Sequence, residues 1–326
     1  MKLARFMALF VVLSLALGCA APSLVQTSTP ALMPAGRLLL IDAHEHIIPG
    51  LAAETIITLM DQAGVQKVIL MANRIESFRP MGWEDALVLE AYEKYPQRII
   101  PFLTTVRWGK RFRGPTFLEY AERQLQTGKF KGMGEFMVKH YAISSTADIA
   151  APEISVPADS PWMQEMMRLG AKYNVPLIIH METTADTVAA LERALLANPN
   201  TRVIWAHQNP VKMGGGPEAQ YARQADPNQV AILLDKYPNL FADIAVGYET
   251  RHFRLEDRKL PQGWKNLYER YNDRFVIGLD LAVSVMWEKG YLRRASVIRG
   301  WLSQLSSDTA RKLAYENIER ILSAKP

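Results

Sequence analysis

From residue 38 onward, short runs rich in Ile, Val, Leu and Phe alternate with amphipathic stretches, and the alternation repeats eight times. An apolar run bounded by turn-forming residues reads as a strand buried on both faces, and a 3.6-residue pattern reads as the helix that covers it. The expected strands are 38–44, 66–72, 98–104, 130–136, 175–180, 201–206, 240–245 and 274–279. Between them lie helical patterns such as 52–64, 83–95 and 184–198, most of them ending near Gly, Asn or Pro. Eight such units in roughly 280 residues have the size of a (β/α)8 TIM barrel. A doubly wound sheet is the competing α/β fold, but no G-x-G-x-x-G follows an early strand. "GGGP" at 214–217 lacks the Lys-Ser/Thr of a phosphate loop and reads as a turn. No linker divides the body, so residues 38–326 are expected to form one barrel domain.

The first 37 residues have a different character. Lys2 and Arg5 precede an apolar run from Phe6 to Leu17 that is short for a membrane span, and small residues follow around Cys19. This is the layout of a signal peptide over 1–18, and "LALGC" at 15–19 resembles a bacterial lipobox, with Ala16 where Leu is commonest. On that reading Cys19 is lipidated, residues 19–37 are a Pro/Ser/Thr-rich tether, and the chain is exported to the periplasm as an outer-membrane lipoprotein. The other reading is ordinary cleavage after Ala20. Cys19 is the only cysteine, which excludes an internal disulfide and restricts any metal site to nitrogen and oxygen ligands. Losing residues 1–18 removes two cations, lowering the formal charge from +5 to +3. That is too mild to argue for nucleic acid, and it is compatible with a homo-oligomer.

The chemistry is concentrated where strands end. His44 and His46 close the first strand, His180 ends "VPLIIH" and His207 ends "TRVIWAH", whereas His140 and His252 are expected beyond strands. Glu135 ends "FKGMGE" and Asp280 ends "FVIGLD". Strand C-termini of a barrel converge on one face, so four imidazoles and two carboxylates would meet there. Residues two apart on a strand share a face, which lets His44 and His46 point inward together while Glu45 points away. Burying all six groups without a cation would leave desolvated polar atoms short of partners, so the convergence points to a metal.

These pieces, "DAHEH", "GMGE", "IIHME", "IWAHQN" and "FVIGLD", resemble the amidohydrolase superfamily of TIM-barrel metal-dependent hydrolases. "ARKLAYENIERIL" at 310–322 resembles the terminal helix of its amidohydrolase-related branch, which includes decarboxylases and lactone hydrolases. The resemblance implies that His44, His46 and Asp280 bind one divalent metal, that His180 and His207 bind a second, and that Glu135 bridges them. In mononuclear decarboxylase-like members His180 would complete a single site, with His207 acting from outside the ligand set. Zn2+ is the first choice of ion, with Mn2+ or Fe2+ also suited to such donors.

The expected reaction is attack of metal-activated water on a small-molecule ester, lactone, amide or phosphoester, with Asp280 as proton shuttle. Decarboxylation of a small carboxylic acid is the alternative, and an inactive metal-holding binding lipoprotein is a third reading. Cations cluster in the expected active-face loops: Arg74, Arg107, Lys110, Arg111, Arg113, Lys139, His140, Arg251, His252 and Arg254. Arg107 and Arg251 are the candidates to grip an anionic substrate; solvated loop charge paired with nearby acids is the competing role. Trp83, Trp108 and Trp162 would either wall the pocket or serve ordinary packing, and 138–159 is long enough to form a lid.

Overall fold

The computed structural model describes residues 38–72, 82–105, 115–140, 153–207, 226–245, 259–282 and 284–324. The signal segment and the whole of the tether, Cys19 included, lie outside them. The elements run β1 (Ile41–Ile47), α1 (Ala53–Ala63), β2 (Lys67–Ala72), α2 (Trp83–Lys94), β3 (Ile99–Thr104), α3 (Pro115–Gln126), β4 (Gly132–His140) and β5 (Ile154–Ser155). They continue with α4 (Pro161–Lys172), β6 (Leu177–Met181), α5 (Ala185–Ala197), β7 (Val203–Ala206), α6 (Pro227–Lys236), β8 (Leu240–Ala245), α7 (Gln262–Arg270) and β9 (Phe275–Gly278). The chain ends with α8 (Ser284–Leu302), α9 (Ser307–Arg311), a π-helical turn (Lys312–Glu316) and α10 (Asn317–Ser323).

Eight strands pair in parallel in the order β1-β2-β3-β4-β6-β7-β8-β9, and β5 pairs antiparallel with the end of β4. The outer strands meet where the Asp280 amide donates to the His44 carbonyl at 2.9 Å. Buried carboxylates complete this seam: Leu279 N–H donates to Asp42 Oδ1 at 3.0 Å and Leu281 N–H to Glu45 Oε2 at 2.9 Å. The result is a nearly closed (β/α)8 TIM barrel, with every expected strand present.

Inward residues fill the lumen. Ile41, Ala43, Ile69, Met71, Phe102, Ile178, Ile204, Phe241 and Val276 form one buried cluster, and Ile318 and Ile321 of α10 join it. Outward residues such as Leu70, Leu103, Ile179 and Trp205 belong to the larger core shared with the helices. On β4 the inward positions are glycines for a steric reason: a Cβ on Gly132 would overlap the Phe102 ring, and one on Gly134 would lie 2.9 Å from Ile178 Cβ. Helix starts follow local chemistry. Ser160 Oγ accepts from Met163 N–H ahead of Pro161 at the first turn, and Thr184 and Thr187 form a reciprocal capping box on α5.

Two strands depart from expectation. β1 continues through both histidines to Ile47, with a register shift against β2 between Asp42 and Glu45. β4 continues to His140 because Lys139 and His140 pair with Ser155 and Ile154 of β5. Lys139 and His140 therefore belong to a strand rather than to a loop.

Candidate metal centre

His44, His46 and His180 lie in the C-terminal halves of β1 and β6, His207 and Asp280 follow β7 and β9, and Glu135 lies inside the extended β4. The β1 bulge resolves a problem of parity: Ile41 and Ala43 face the lumen below it, while His44 and His46 face the site above it. Asp42 and Glu45 turn to the seam instead, where they accept main-chain hydrogen bonds. The β4 register shifts likewise between Met133 and Phe136, at Glu135. His207 and Asp280 follow their strands with φ of 61° and 52°, left-handed values that are rare outside glycine. The Asp280 turn is clasped by Arg294 of α8, which donates to the carbonyls of Leu279 and Asp280.

The side chains form two groups that share Glu135: His44, His46 and Glu135, and Glu135, His180 and His207. Glu135 Oε2 lies 3.7 Å from His46 Nε2, while Oε1 lies 3.0 Å from His180 Nδ1, 3.5 Å from His207 Nε2 and 3.6 Å from His44 Nε2. Asp280 reaches across both groups, with Oδ1 3.5 Å from His46 Nε2 and Oδ2 3.9 Å from His207 Nε2. All of these residues except Asp280 are buried to 3% exposure or less.

Electrostatics show what the arrangement asks for. Burial pushes His44 down, but the Glu135 and Asp243 carboxylates outweigh it and hold the imidazole well above its ordinary value. Burial also opposes charge on His180, yet Glu135 and Glu182 raise it to about 10. Burial favours neutral carboxyls at Glu135 and Asp280, and the surrounding imidazoles reverse this and hold both well below the usual range. The cluster thus demands positive charge at its centre. The donor atoms that meet there, such as His44 Nε2 and His46 Nε2 at 3.2 Å or His207 Nε2 and His180 Nδ1 at 3.2 Å, are of the kind that ligate divalent cations. The residues fit such an ion, and nitrogen and carboxylate donors do not select zinc over manganese.

Asp243 of β8 went unnoticed in the sequence. It is fully buried, accepts from His207 N–H at 2.8 Å, and lies 2.8 Å from His44 Nδ1, which turns His44 Nε2 toward the centre. A carboxylate inside the apolar run "LFADIA" is the signal that could have found it, because a buried charge needs a partner. Of the expected rim, Lys139, its side chain largely covered, pairs with the exposed Glu153 at 2.7 Å. Trp162 packs against Phe117 and Phe136 at 6.3 and 5.6 Å between ring centres, and Trp83 is half-buried at the start of α2. Arg74, Arg107, Trp108, Lys110, Arg111, Arg113, Arg251, His252, Arg254, the 214–217 turn and most of the 138–159 segment lie outside the described residues.

Comparison with known proteins agrees with the fold. A dihydroxybenzoic acid decarboxylase from Polaromonas with bound manganese and an inhibitor shares the fold at TM-score 0.54 and 11% identity, over 88% of this chain and 97% of that one. A 2,6-dihydroxybenzoate decarboxylase complexed with 2,6-dihydroxybenzoate does so at TM-score 0.56 and 14% identity, over 88% and 99%. A probable 2-pyrone-4,6-dicarboxylic acid hydrolase from Acinetobacter baumannii with citric acid bound does so at TM-score 0.57 and 14% identity, over 87% and 98%. No curated protein sequence matches the chain. A family model described as Amidohydrolase matches residues 41–323, nearly the whole barrel, and the chain belongs to that family.

Proposed function

We propose that this protein is a metal-dependent hydrolase that uses two divalent cations, Zn2+ by preference, to cleave a small ester, lactone, amide or phosphoester. The observation that carries the reading is the position of Glu135 between two histidine pairs, with Oε2 toward His46 and Oε1 toward His180 and His207. A carboxylate so placed can bridge two ions. Bound cations would supply an activated water near neutral pH and polarise the oxygen of the scissile group. The chain's own residues supply the rest. His44, His46, Glu135, His180, His207 and Asp280 would hold the ions. Asp280, with its carboxyl held ionised by the neighbouring imidazoles, takes the proton of the attacking water and returns it to the leaving group. Asp243 keeps His44 turned toward the centre.

The test combines metal counting with one substitution. The reading expects two ions per chain, and it expects Asp280→Asn to retain fold and most of the metal while turnover falls by about 10²- to 10⁴-fold. Full turnover in that variant would remove Asp280 from its role. One ion per chain together with carbon dioxide release from a carboxylate would replace hydrolysis by decarboxylation, the reaction named for two of the similar structures.

A further inference from the structure

A third group of ligand-type side chains adjoins the centre. β4 runs five residues past Glu135 to reach His140, and β6 is followed directly by Glu182, whose amide donates to the Lys139 carbonyl at 3.1 Å. His140 and Glu182 thereby lie beyond Glu135 and His180 along their strands, at neighbouring strand ends. His140, His180 and Glu182 each offer one ligand atom, and all three atoms lie within 4.8 Å of one another. The His140 and His180 rings stand 5.2 Å apart between centres, and Glu182 Oε1 lies 3.8 Å from His180 Nε2. None of the three residues is more than 4% exposed.

His180 divides its two nitrogens between the groups. Nδ1 faces Glu135 and His207, whereas Nε2 faces Glu182. We propose that His140, Glu182 and Nε2 of His180 form an additional divalent-cation site just outside the main centre. Two histidine nitrogens and one carboxylate are a donor set that divalent zinc accepts, with positions left for water or an anionic group of a ligand. When both sites are filled, His180 bridges them as an imidazolate and its ring proton passes to solvent. The outer ion is therefore held more weakly than the inner ones. The inference holds whether the main centre performs hydrolysis or decarboxylation.

Equilibrium dialysis of the full chain against increasing free Zn2+, and separately Mn2+, with elemental counting, tests it. Wild type is expected to gain one weaker equivalent after the tight sites fill. His140→Ala and Glu182→Gln are each expected to lose that equivalent and keep the tight ones. Glu182→Gln is nearly isosteric, so it gives the answer even if His140→Ala fails to fold. With Mn2+ throughout, filling the outer position should add a coupled contribution to the electron paramagnetic resonance of wild type, and the variants should keep the spectrum of the main centre alone at every Mn2+ concentration. Equal metal counts in wild type and Glu182→Gln at every free-ion concentration would overturn the proposal. Equal counts with a raised KM would also overturn it, giving the pair to the substrate instead.

Discussion

At the scale of single residues, the site depends on which nitrogen each imidazole presents. His44 can offer Nε2 only if Nδ1 carries the proton, and Asp243 fixes this by accepting at Nδ1 over 2.8 Å. The other Asp243 oxygen accepts from the His207 amide, so one carboxylate orients ligands from two strands. Asp243→Asn keeps the shape but offers an amide N–H where an acceptor is needed. Metal affinity is expected to fall by about 10- to 100-fold with the fold intact, as read by competition with a chelator. Unchanged affinity would show that the pair does not set the tautomer. Five of the six candidate ligands were legible in the sequence because each sits where an apolar run stops, and a polar residue there has few bland explanations; Glu135, inside "GMGEFMVKH", stood out as a carboxylate within an otherwise apolar run. Asp243 was not, because it lies inside its run. His140 was placed beyond its strand because nothing within "FKGMGEFMVKH" states that Ile154 and Ser155 will pair with its end.

At the scale of elements, the strands were readable because parallel barrel strands are buried on both faces and appear as uninterrupted apolar runs. Their ends were less so, since bulges and added strands are set by neighbours distant in sequence. The same burial creates a pH-dependent joint between α2, β3 and α3. Asp85 of α2 accepts from Thr104 N–H at 2.8 Å and from Tyr120 Oη–H at 2.5 Å. Burial nevertheless outweighs these bonds and raises its carboxyl from 3.8 to about 6. The folded chain therefore binds this proton more tightly than the unfolded chain does. Asp85's contribution is most favourable below about pH 4 and is lost as pH rises through about 6. At about 1.4 kcal/mol per pKa unit, the loss is about 3 kcal/mol. Asp85→Asn is expected to flatten this part of the stability profile, measured as unfolding free energy between pH 4 and 7. A profile identical to wild type would place the titration elsewhere.

At the scale of the whole molecule, the centre ties together parts of the barrel that are far apart in the chain. Its candidate ligands come from β1, β4 and β6 and from the residues just after β7 and β9, so the cluster spans the β1–β9 seam where the barrel closes. Among the described residues, the bonds across that seam are the Asp280 amide to the His44 carbonyl and two amides to the carboxylates of Asp42 and Glu45. An ion held by this ligand set binds only the folded chain, because unfolding scatters the ligands over more than 200 positions of sequence. Such an ion stabilises by mass action, by about 2.7 kcal/mol when its free concentration is 100-fold above Kd. Exhaustive chelation is therefore expected to lower the thermal midpoint by several degrees, and restoring Zn2+ or Mn2+ should recover it. Removing ligands from both halves, as in a His44→Ala/His180→Ala chain, should abolish the response, and added metal should then leave the midpoint where chelation leaves it. A wild-type midpoint indifferent to chelation and re-addition would mean that no ion spans the seam. Closure of the barrel would then rest on the Asp42 and Glu45 carboxylates and on the apolar lumen that Ile318 and Ile321 join.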